Sequence, residues 1–535
     1  MSPSPWKGHE DPGGPTGAGH PGGSRSGGRR RRRRALRWSA TVLAVVITGT
    51  AGAGYLYYRH LNGNLRKDDL FLGDAKDRAA APKANAAGQT PLNILLIGSD
   101  ARDSAENQKL GGARDTFNTP PRADVQMLLH VSADRSNMAV VSMPRDTLVD
   151  IPQCTDPDNG KVYGPLTSTI TNESLGRGGP GCTVAAWEKL TDIHIDHFMM
   201  IDFAGVVSMG NAIGGVPVCV DANIYSRSSD GHGSGLKLKE GTTYIKGQRA
   251  LRWLRTRYGF EDNTDIARAK AQHQYMNAMV RQLRENATLS SPNKLRKLAE
   301  TATTALTVDT GLGSVAKLYD LSNELKKVPT DRITMTTMPW QYSTTNSGRV
   351  VPRPGDAEKL FRLIRDDIAL DGKDKKKHSK ATPAATASAD PATADDQIAV
   401  QVQNGTRSAT EAPVSGRAAA VSQLLAGKGF TKAVADTSVT PSQDTTVIRY
   451  PSDDLKGDAQ QVAKALGLPD DAVEKSAYVS GVTLVVGADW RTGTTYTAPQ
   501  EDDTTPKTAQ AINGADKSQC MHVNPAYTWT PGPTD

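Results

Sequence analysis

Charged and apolar positions alternate along this chain in a way that divides it before any composition is counted. Residues 38–58, WSATVLAVVITGTAGAGYLYY, run 21 positions without a charge. At ~1.5 Å per residue such a helix spans a ~30 Å hydrocarbon core, so one transmembrane helix is predicted there. Trp38 at one end and Tyr55, Tyr57 and Tyr58 at the other fit interfacial aromatic belts. Further on come short apolar runs bounded by turn residues, the pattern of buried strands. They lie at 92–98 (LNILLIG), 125–131, 138–142 and 333–338. Stretches with helical spacing fall at 292–306, 312–327 and 356–368. Residues 371–396, with a lysine run and then Ala, Thr and Pro, read as a linker. A second alternation follows between 397 and 490. Strands are predicted at 398–402, 446–450 and 482–486, with helices at 415–428 and 457–466 between them.

The expected organisation is therefore a disordered tail (1–37), a transmembrane helix (38–58), a stalk (59–90), a main domain (91–370), the linker, a smaller domain (397–490) and a disordered tail (491–535). Mixed helices and strands place both domains in the α/β class.

Charge changes the picture at one end only. The chain of 535 residues has a formal net charge of +7. Residues 1–37 hold Lys7, Arg25, Arg29 to Arg34 and Arg37 against Glu10 and Asp11, so they carry that whole excess. The remainder is neutral. The arginines precede the apolar span, so the positive-inside rule puts the N-terminus in the cytoplasm and the domains outside. Orientation accounts for the run without nucleic acid, and no folded reader of nucleic acid accompanies it. A cleaved signal peptide ending near Ala51-Gly52-Ala53 is the competing reading, against which the length of the span and the tyrosines argue. Four cysteines allow three full pairings, and disulfides are permitted outside the membrane. Cys154 with Cys182 is favoured. Cys219 is expected to be buried, and Cys520 to lie in the flexible tail.

Candidate chemistry gathers where strands end. Asp100 and Arg102 follow the first run, Arg122 and Asp124 precede the second, and Arg145 and Asp146 follow the third. In open α/β sheets ligands bind at such edges. Residues 250–274, ALRWLRTRYGFEDNTDIARAKAQHQ, add a denser cluster. If 254–258 is extended, Arg255 and Arg257 share a face. From Asp265 the pattern is helical, with Thr264 as N-cap. Asp265, Arg268 and Gln272 then share one side of that helix. Guanidiniums facing such a stripe suit a ligand with several anionic oxygens, such as a pyrophosphate. No Gly-rich phosphate loop with a following Lys-Ser/Thr and no HExxH occurs. Met199, Met200, Phe203, Met209, Met276 and Met279 are candidates for an apolar channel, since methionine repacks around flexible ligands.

The blocks ILLIGSDAR, PRADVQMLL, VVSMPRDTLVDIP, GGPGCTVAAWEKLTDIHIDHFMMIDF, NAIGGVPVCV and ALRWLRTRY…DIARAKAQ follow one another over about 200 residues. Together they resemble the LytR-CpsA-Psr family of cell-wall glycopolymer transferases. The VQNGT start and VVGADW end of the smaller domain resemble a C-terminal domain carried by LytR-type proteins. The resemblance implies a three-layer domain with a central mixed sheet between helices. It implies a membrane-anchored phosphotransferase acting outside the cell. The substrate would be a polyprenyl-pyrophosphate-linked glycopolymer, the acceptor a peptidoglycan hydroxyl, and the by-product polyprenyl phosphate, with Mg²⁺ or Mn²⁺ as cofactor. By the same resemblance, Asp100 and Asp124 match metal-site acids. Arg102, Arg122, Arg145, Arg255 and Arg257 match or adjoin pyrophosphate-binding positions, and Asp265, Arg268 and Gln272 match the site helix. Asp100, Asp124, Arg145 and Asp265 are the catalytic candidates, with the general base open among the three acids. The chain departs from the family at Ile170-Thr171-Asn172, where a lysine is common, and at Ala271, where a second arginine is common. A non-catalytic lipid-glycan holder and a transcription regulator are the alternatives.

Overall fold

In the computed structural model, residues 27–101, 107, 119–286, 292–373, 393–408, 411–469, 472–476, 478–497, 502–516 and 520–530 are described. The chain divides into two units, residues 1–371 with 505–535, and residues 372–504.

The first unit is built on eight strands: β1 (Arg66–Asp68), β2 (Leu92–Ser99), β3 (Ala123–Val131), β4 (Met138–Met143), β5 (His197–Asp202), β6 (Leu306–Asp309), β7 (Ile333–Thr337) and β8 (Ile512–Asn513). They lie in the order β1-β6-β5-β2-β3-β4-β7-β8. The central β2–β3–β4 run is antiparallel, while β5 runs parallel to β2 and β7 parallel to β4. This is the mixed sheet expected. Period-two alternation assigns its faces. Leu95, Ile97 and Leu128 point to one side, where α2 (Pro180–Thr191) brings Trp187 and α7 (Asp356–Arg365) brings Leu360, Leu363 and Ile364. Ile94, Met127 and Leu129 point to the other, under α6 (Val315–Lys327). A further core on that side joins α3 (Phe203–Ala212), α4 (Gly247–Arg255), α5 (Asp265–Asn286) and the hairpin of Val216–Val220 with Gly241–Ile245. A disulfide joins Cys154 to Cys182 at the start of α2, with Cα atoms 5.8 Å apart.

Several boundary expectations are corrected. Helix α1 runs Gly27–Asn64, so the arginine run forms its first turns instead of a disordered tail. Arginine is a good helix former, and the apolar segment gives it a helix to extend. Residues 1–26 lie outside the described residues. Within α1, 37–64 is long and apolar enough to cross a membrane. The stalk expected at 59–90 belongs to the domain. Leu61, Leu65 and Leu72 are buried, and β1 pairs with β6. Its few apolar residues, Leu61, Leu65 and the run Leu70-Phe71-Leu72, show no period, yet they pack on the sheet or its helices.

The C-terminal tail is the larger correction. Residues 505–516 and 520–530 pack on the first unit: β8 pairs with β7, and Met521 and Val523 are buried. Cys520 is bonded to Cys219. His522 Nδ1 lies 2.6 Å from an Asp221 carboxylate oxygen. The second unit is a five-stranded sheet ordered Lys432–Asp436, Ala399–Asn404, Val482–Val486, Val447–Tyr450, Val473–Lys475. Helices Arg417–Gly427 and Lys456–Leu466 pack against it around Val400, Phe430, Ile448 and Leu484. Residues 491–497, also expected to be disordered, belong here: Arg491 donates to Ala412 O at 2.9 Å and Tyr496 stacks edge-on to Trp490. Most of the linker lies outside the described residues.

Candidate functional site: a charged cleft joined to an apolar cavity

The site begins with an irregularity between β2 and β3. Gly98 pairs with Val125 but Ser99 pairs with Ala123, so Asp124 is an extra residue in the ladder. A bulge of this kind re-aims the side chain it displaces. Gly98 permits the close approach, because a Cβ there would sit 2.8 Å from Val125 Cβ. Asp124 consequently lines a cleft of about 380 Å³, and its Oδ1 accepts a bond from Arg145 at 2.9 Å. Arg145 also lies 3.4 Å from Asp146, which pairs with Arg349.

The opposite wall comes from α4, α5 and the loop between them. Ala250, Leu251, Trp253 and Leu254 are buried at helical spacing, so α4 continues to Arg255 before Thr256 turns extended. The extended segment expected at 254–258 is thus corrected, because the 3.6-residue period of ALRWLR governs it. Arg255 and Arg257 nonetheless line one outer cavity of about 480 Å³, together with Arg268. Arg255 stacks over the Phe203 ring at 5.0 Å. Arg257 and Arg268 also line the charged cleft. The loop carrying Arg257 is held tightly. Asn263, at φ 61°, accepts from Gly259 N–H at 2.7 Å. Helix α5 starts where Thr264 Oγ1 accepts from Ala267 N–H at 3.4 Å. Gln272 reaches back to donate to Leu254 O at 3.0 Å, and Trp253 Nε1 donates to Ala271 O at 2.8 Å.

One stripe of α5 then changes character. Arg268 and Gln272 line the charged cleft; Gln272, Met276 and Met279 line an apolar cavity of about 200 Å³. These positions are spaced so that they lie along one helix side. Asp124, Val125 and Gln272 line both spaces. Met199, Phe203 and Met209 complete the apolar walls. Met200 does not: it follows Met199 on β5, points to the other sheet face and packs on that core.

The remaining candidates fall elsewhere. Arg122 is exposed just before β3 and does not line the cleft. Asp100 follows β2, and its Oδ1 accepts from Arg122 N–H at 2.7 Å. Arg102 lies outside the described residues, as does the side chain of Asp265. Sequence reasoning missed Arg349, Tyr342 and Asn263 in the cleft wall, and gave Asp146 no role. Arg349 and Tyr342 come from a hairpin of Trp340–Tyr342 with Val350–Pro352, remote in sequence from every block quoted above. Four arginines (145, 257, 268 and 349) face two aspartates (124 and 146) around the cleft, which favours an anionic occupant.

Among the described residues no group of three His, Cys, Asp or Glu is gathered as a metal site. Asp100 and Asp124 do project from the same end of adjacent antiparallel strands. Asp100, however, lines neither the cleft nor the apolar cavity; one or two carboxylates with water and substrate phosphate oxygens is the usual protein share of a Mg²⁺ site.

The LytR_cpsA_psr family model matches residues 61–359. A second, for the LytR cell envelope-related transcriptional attenuator, matches 397–490. The cell wall biosynthesis protein LcpA of Corynebacterium glutamicum is 28% identical over 328 residues, 56% of this chain; the chain spans 58% of that protein's length. The polyisoprenyl-teichoic acid–peptidoglycan teichoic acid transferase TagT of Bacillus subtilis is 24% identical over 58% of this chain and 89% of its own. Among solved structures, the LytR-Csp2A-Psr enzyme from Actinomyces oris covers 56% of this chain and 95% of its own at 20% identity, with a TM-score of 0.40.

Proposed function

The chain belongs to the LytR-CpsA-Psr family, and on that premise we propose that it moves a glycopolymer phosphate from a polyprenyl-pyrophosphate carrier to peptidoglycan. The observation that carries the reading is the α5 stripe from Arg268 and Gln272 to Met276 and Met279. A pyrophosphate ester of a polyprenol has the same order of chemistry, anionic then apolar. Helix α1 serves as the membrane anchor, and its arginine run keeps the N-terminus in the cytoplasm.

Phosphoryl transfer depends on charge neutralisation and alignment more than on covalent help. Arg145, Arg257 and Arg268 hold the phosphate oxygens with charge-assisted bonds. Asp124 orients Arg145 through their 2.9 Å bond. Gln272 ties α5 to α4, fixing the distance between the arginines of the two elements. The acceptor hydroxyl attacks the phosphorus that bears the glycan. The bond from that phosphorus to the bridging oxygen breaks, polyprenyl phosphate leaves with the electron pair, and the proton of the hydroxyl ends on that leaving phosphate. Asp100 and Asp124 are the residues that would hold Mg²⁺ or Mn²⁺. The chemistry such an ion supplies when bound is neutralisation of charge on the phosphate oxygens.

The test is turnover of a short-chain lipid pyrophosphate bearing a saccharide, with peptidoglycan as acceptor. Lipid monophosphate should appear in step with saccharide attached to the wall, and a chelator should stop both. Binding without turnover would leave a lipid-glycan holder and overturn the enzyme.

A further inference from the structure

A second cavity lies beside the charged cleft, on the other side of α5 from the apolar one. It holds about 310 Å³, and its far wall is the C-terminal segment, through Thr508, Gln510, Ile512, Asn513 and Met521. That segment lies beyond both family matches, which end at 359 and 490. It is nevertheless built in. Cys520 is bonded to Cys219, Met521 N–H donates to Cys219 O at 2.9 Å, and Asp221 N–H donates to Met521 O at 3.1 Å. β8 closes the edge of the main sheet beside it.

We propose that this cavity is a binding site for an N-acetylated saccharide, and that it presents the sugar to the phosphate cleft. Its lining is amphipathic. Met127, Val140 and Met335 come from the sheet, while Asn277 and Gln282 from α5 and Gln510 from the tail bring amides. Trp340 and Tyr244 add aromatic surface. An acetamido group is a methyl beside an amide, and it matches an apolar floor edged by amides. A polyprenyl chain fits poorly, because it would leave those amides buried without hydrogen-bond partners. The neighbouring cleft has four arginines. Lys270, Arg281 and Asp516 also line this cavity, but Lys270 is paired with Glu261 and Arg281 donates to Gly514 O at 3.1 Å, so the phosphate is directed to the cleft and the sugar to the cavity.

The spaces meet at Pro144, Ile266, Ala269 and His273, of which only His273 has a polar side chain. It follows Gln272 on α5. Burial pushes the imidazole pKa down to about 4, which keeps it neutral and able to accept a hydrogen bond from a sugar hydroxyl. The saccharide site stands on its lining alone. Its role in delivering a hydroxyl to phosphorus rests on the proposed transferase reading.

The test is equilibrium binding to the full chain in detergent, using chitotetraose and cellotetraose, which differ in the acetamido groups. Chitotetraose should bind, and cellotetraose at least about tenfold more weakly. Asn277→Leu and Gln510→Gly should each weaken chitotetraose about three- to tenfold. The glycine suits the backbone at Gln510, where φ is 49°. Binding of inorganic pyrophosphate should stay unchanged in both variants, which also shows that they fold. Absence of chitotetraose binding, equal binding of the two sugars, or unaltered binding in both variants would overturn the site. A rise in KM for the acceptor in the transfer assay assigns the sugar to peptidoglycan. A rise for the donor assigns it to the glycopolymer. Failure of transfer with sugar binding intact would remove the transferase reading and leave the site.

Discussion

Arg257 stands in the wall shared by the outer arginine cavity and the charged cleft, on a loop fixed by the Asn263–Gly259 bond. A hydrogen bond to a charged partner contributes ~1.5–3 kcal/mol, so Arg257→Ala should weaken pyrophosphate binding by roughly tenfold to a hundredfold. Arg257→Lys should recover only part of this, because an ammonium cannot donate a planar bidentate pair. Titration of inorganic pyrophosphate against the three proteins checks both statements, and equal affinities would remove Arg257 from the site. Gly98 acts on the opposite wall, where it also lines the apolar cavity. Gly98→Ala would drive a methyl to 2.8 Å from Val125 Cβ between two central strands. Overpacking of that kind costs ~1–3 kcal/mol and should move Asp124 away from Arg145. Thermal unfolding and turnover should therefore fall together.

At the scale of elements, the tail is the part most open to test. The bond to Asp221 raises the His522 pKa above its ordinary 6.5, aided by the Asp221 and Glu261 charges and opposed by Lys270. For Asp221, burial alone would raise the carboxyl. The His522 bond and the Val523 N–H outweigh it, and the net shift is downward. A raised histidine pKa stabilises fully below its unfolded value and is lost as pH rises through the folded one. A depressed aspartate pKa is lost as pH falls through its own folded value. The tie thus holds between those limits, and both partners are exposed enough to keep its size modest. Hydrogen exchange at 521–524, corrected for intrinsic rate, should be slower at pH 6 than at pH 9. Identical protection would separate the tail's docking from this pair.

The same elements show what the sequence made legible. Strands β2, β3 and β4 are readable because a sheet buried on both faces gives short continuous apolar runs bounded by turn residues. Helix α5 was readable because Thr264 and its polar stripe mark its start and side. Helix α4 is ambiguous in the sequence because ALRWLR is too short for one period to exclude the other. The tail was not legible at all. Residues 505–516 and 520–530 have no apolar period, and a disulfide to Cys219, the short β8 pairing, single bridges and the buried Ala509, Met521 and Val523 hold them. Arg349 entered the cleft from a remote hairpin, with nothing local to announce it.

In the whole molecule, the end of α1 is seated on the domain: Leu61 is buried, and Asn62 Oδ1 accepts from Val315 N–H at 2.8 Å. With α1 as the proposed anchor, this junction would keep the first unit close to the surface from which a lipid substrate would come. The central claim is that the charged cleft and the apolar cavity hold two halves of one molecule. The measurement that tests it most directly compares inorganic pyrophosphate with a short-chain polyprenyl pyrophosphate, on the parent chain, Arg268→Ala and Met276→Gln. A continuous site predicts that Arg268→Ala weakens both ligands. Met276→Gln should weaken only the lipid form, by about tenfold, as ~1–2 kcal/mol of apolar burial is lost. If Met276→Gln left the lipid form unchanged, or weakened both ligands equally, the two spaces would not belong to one substrate and the account would be contradicted.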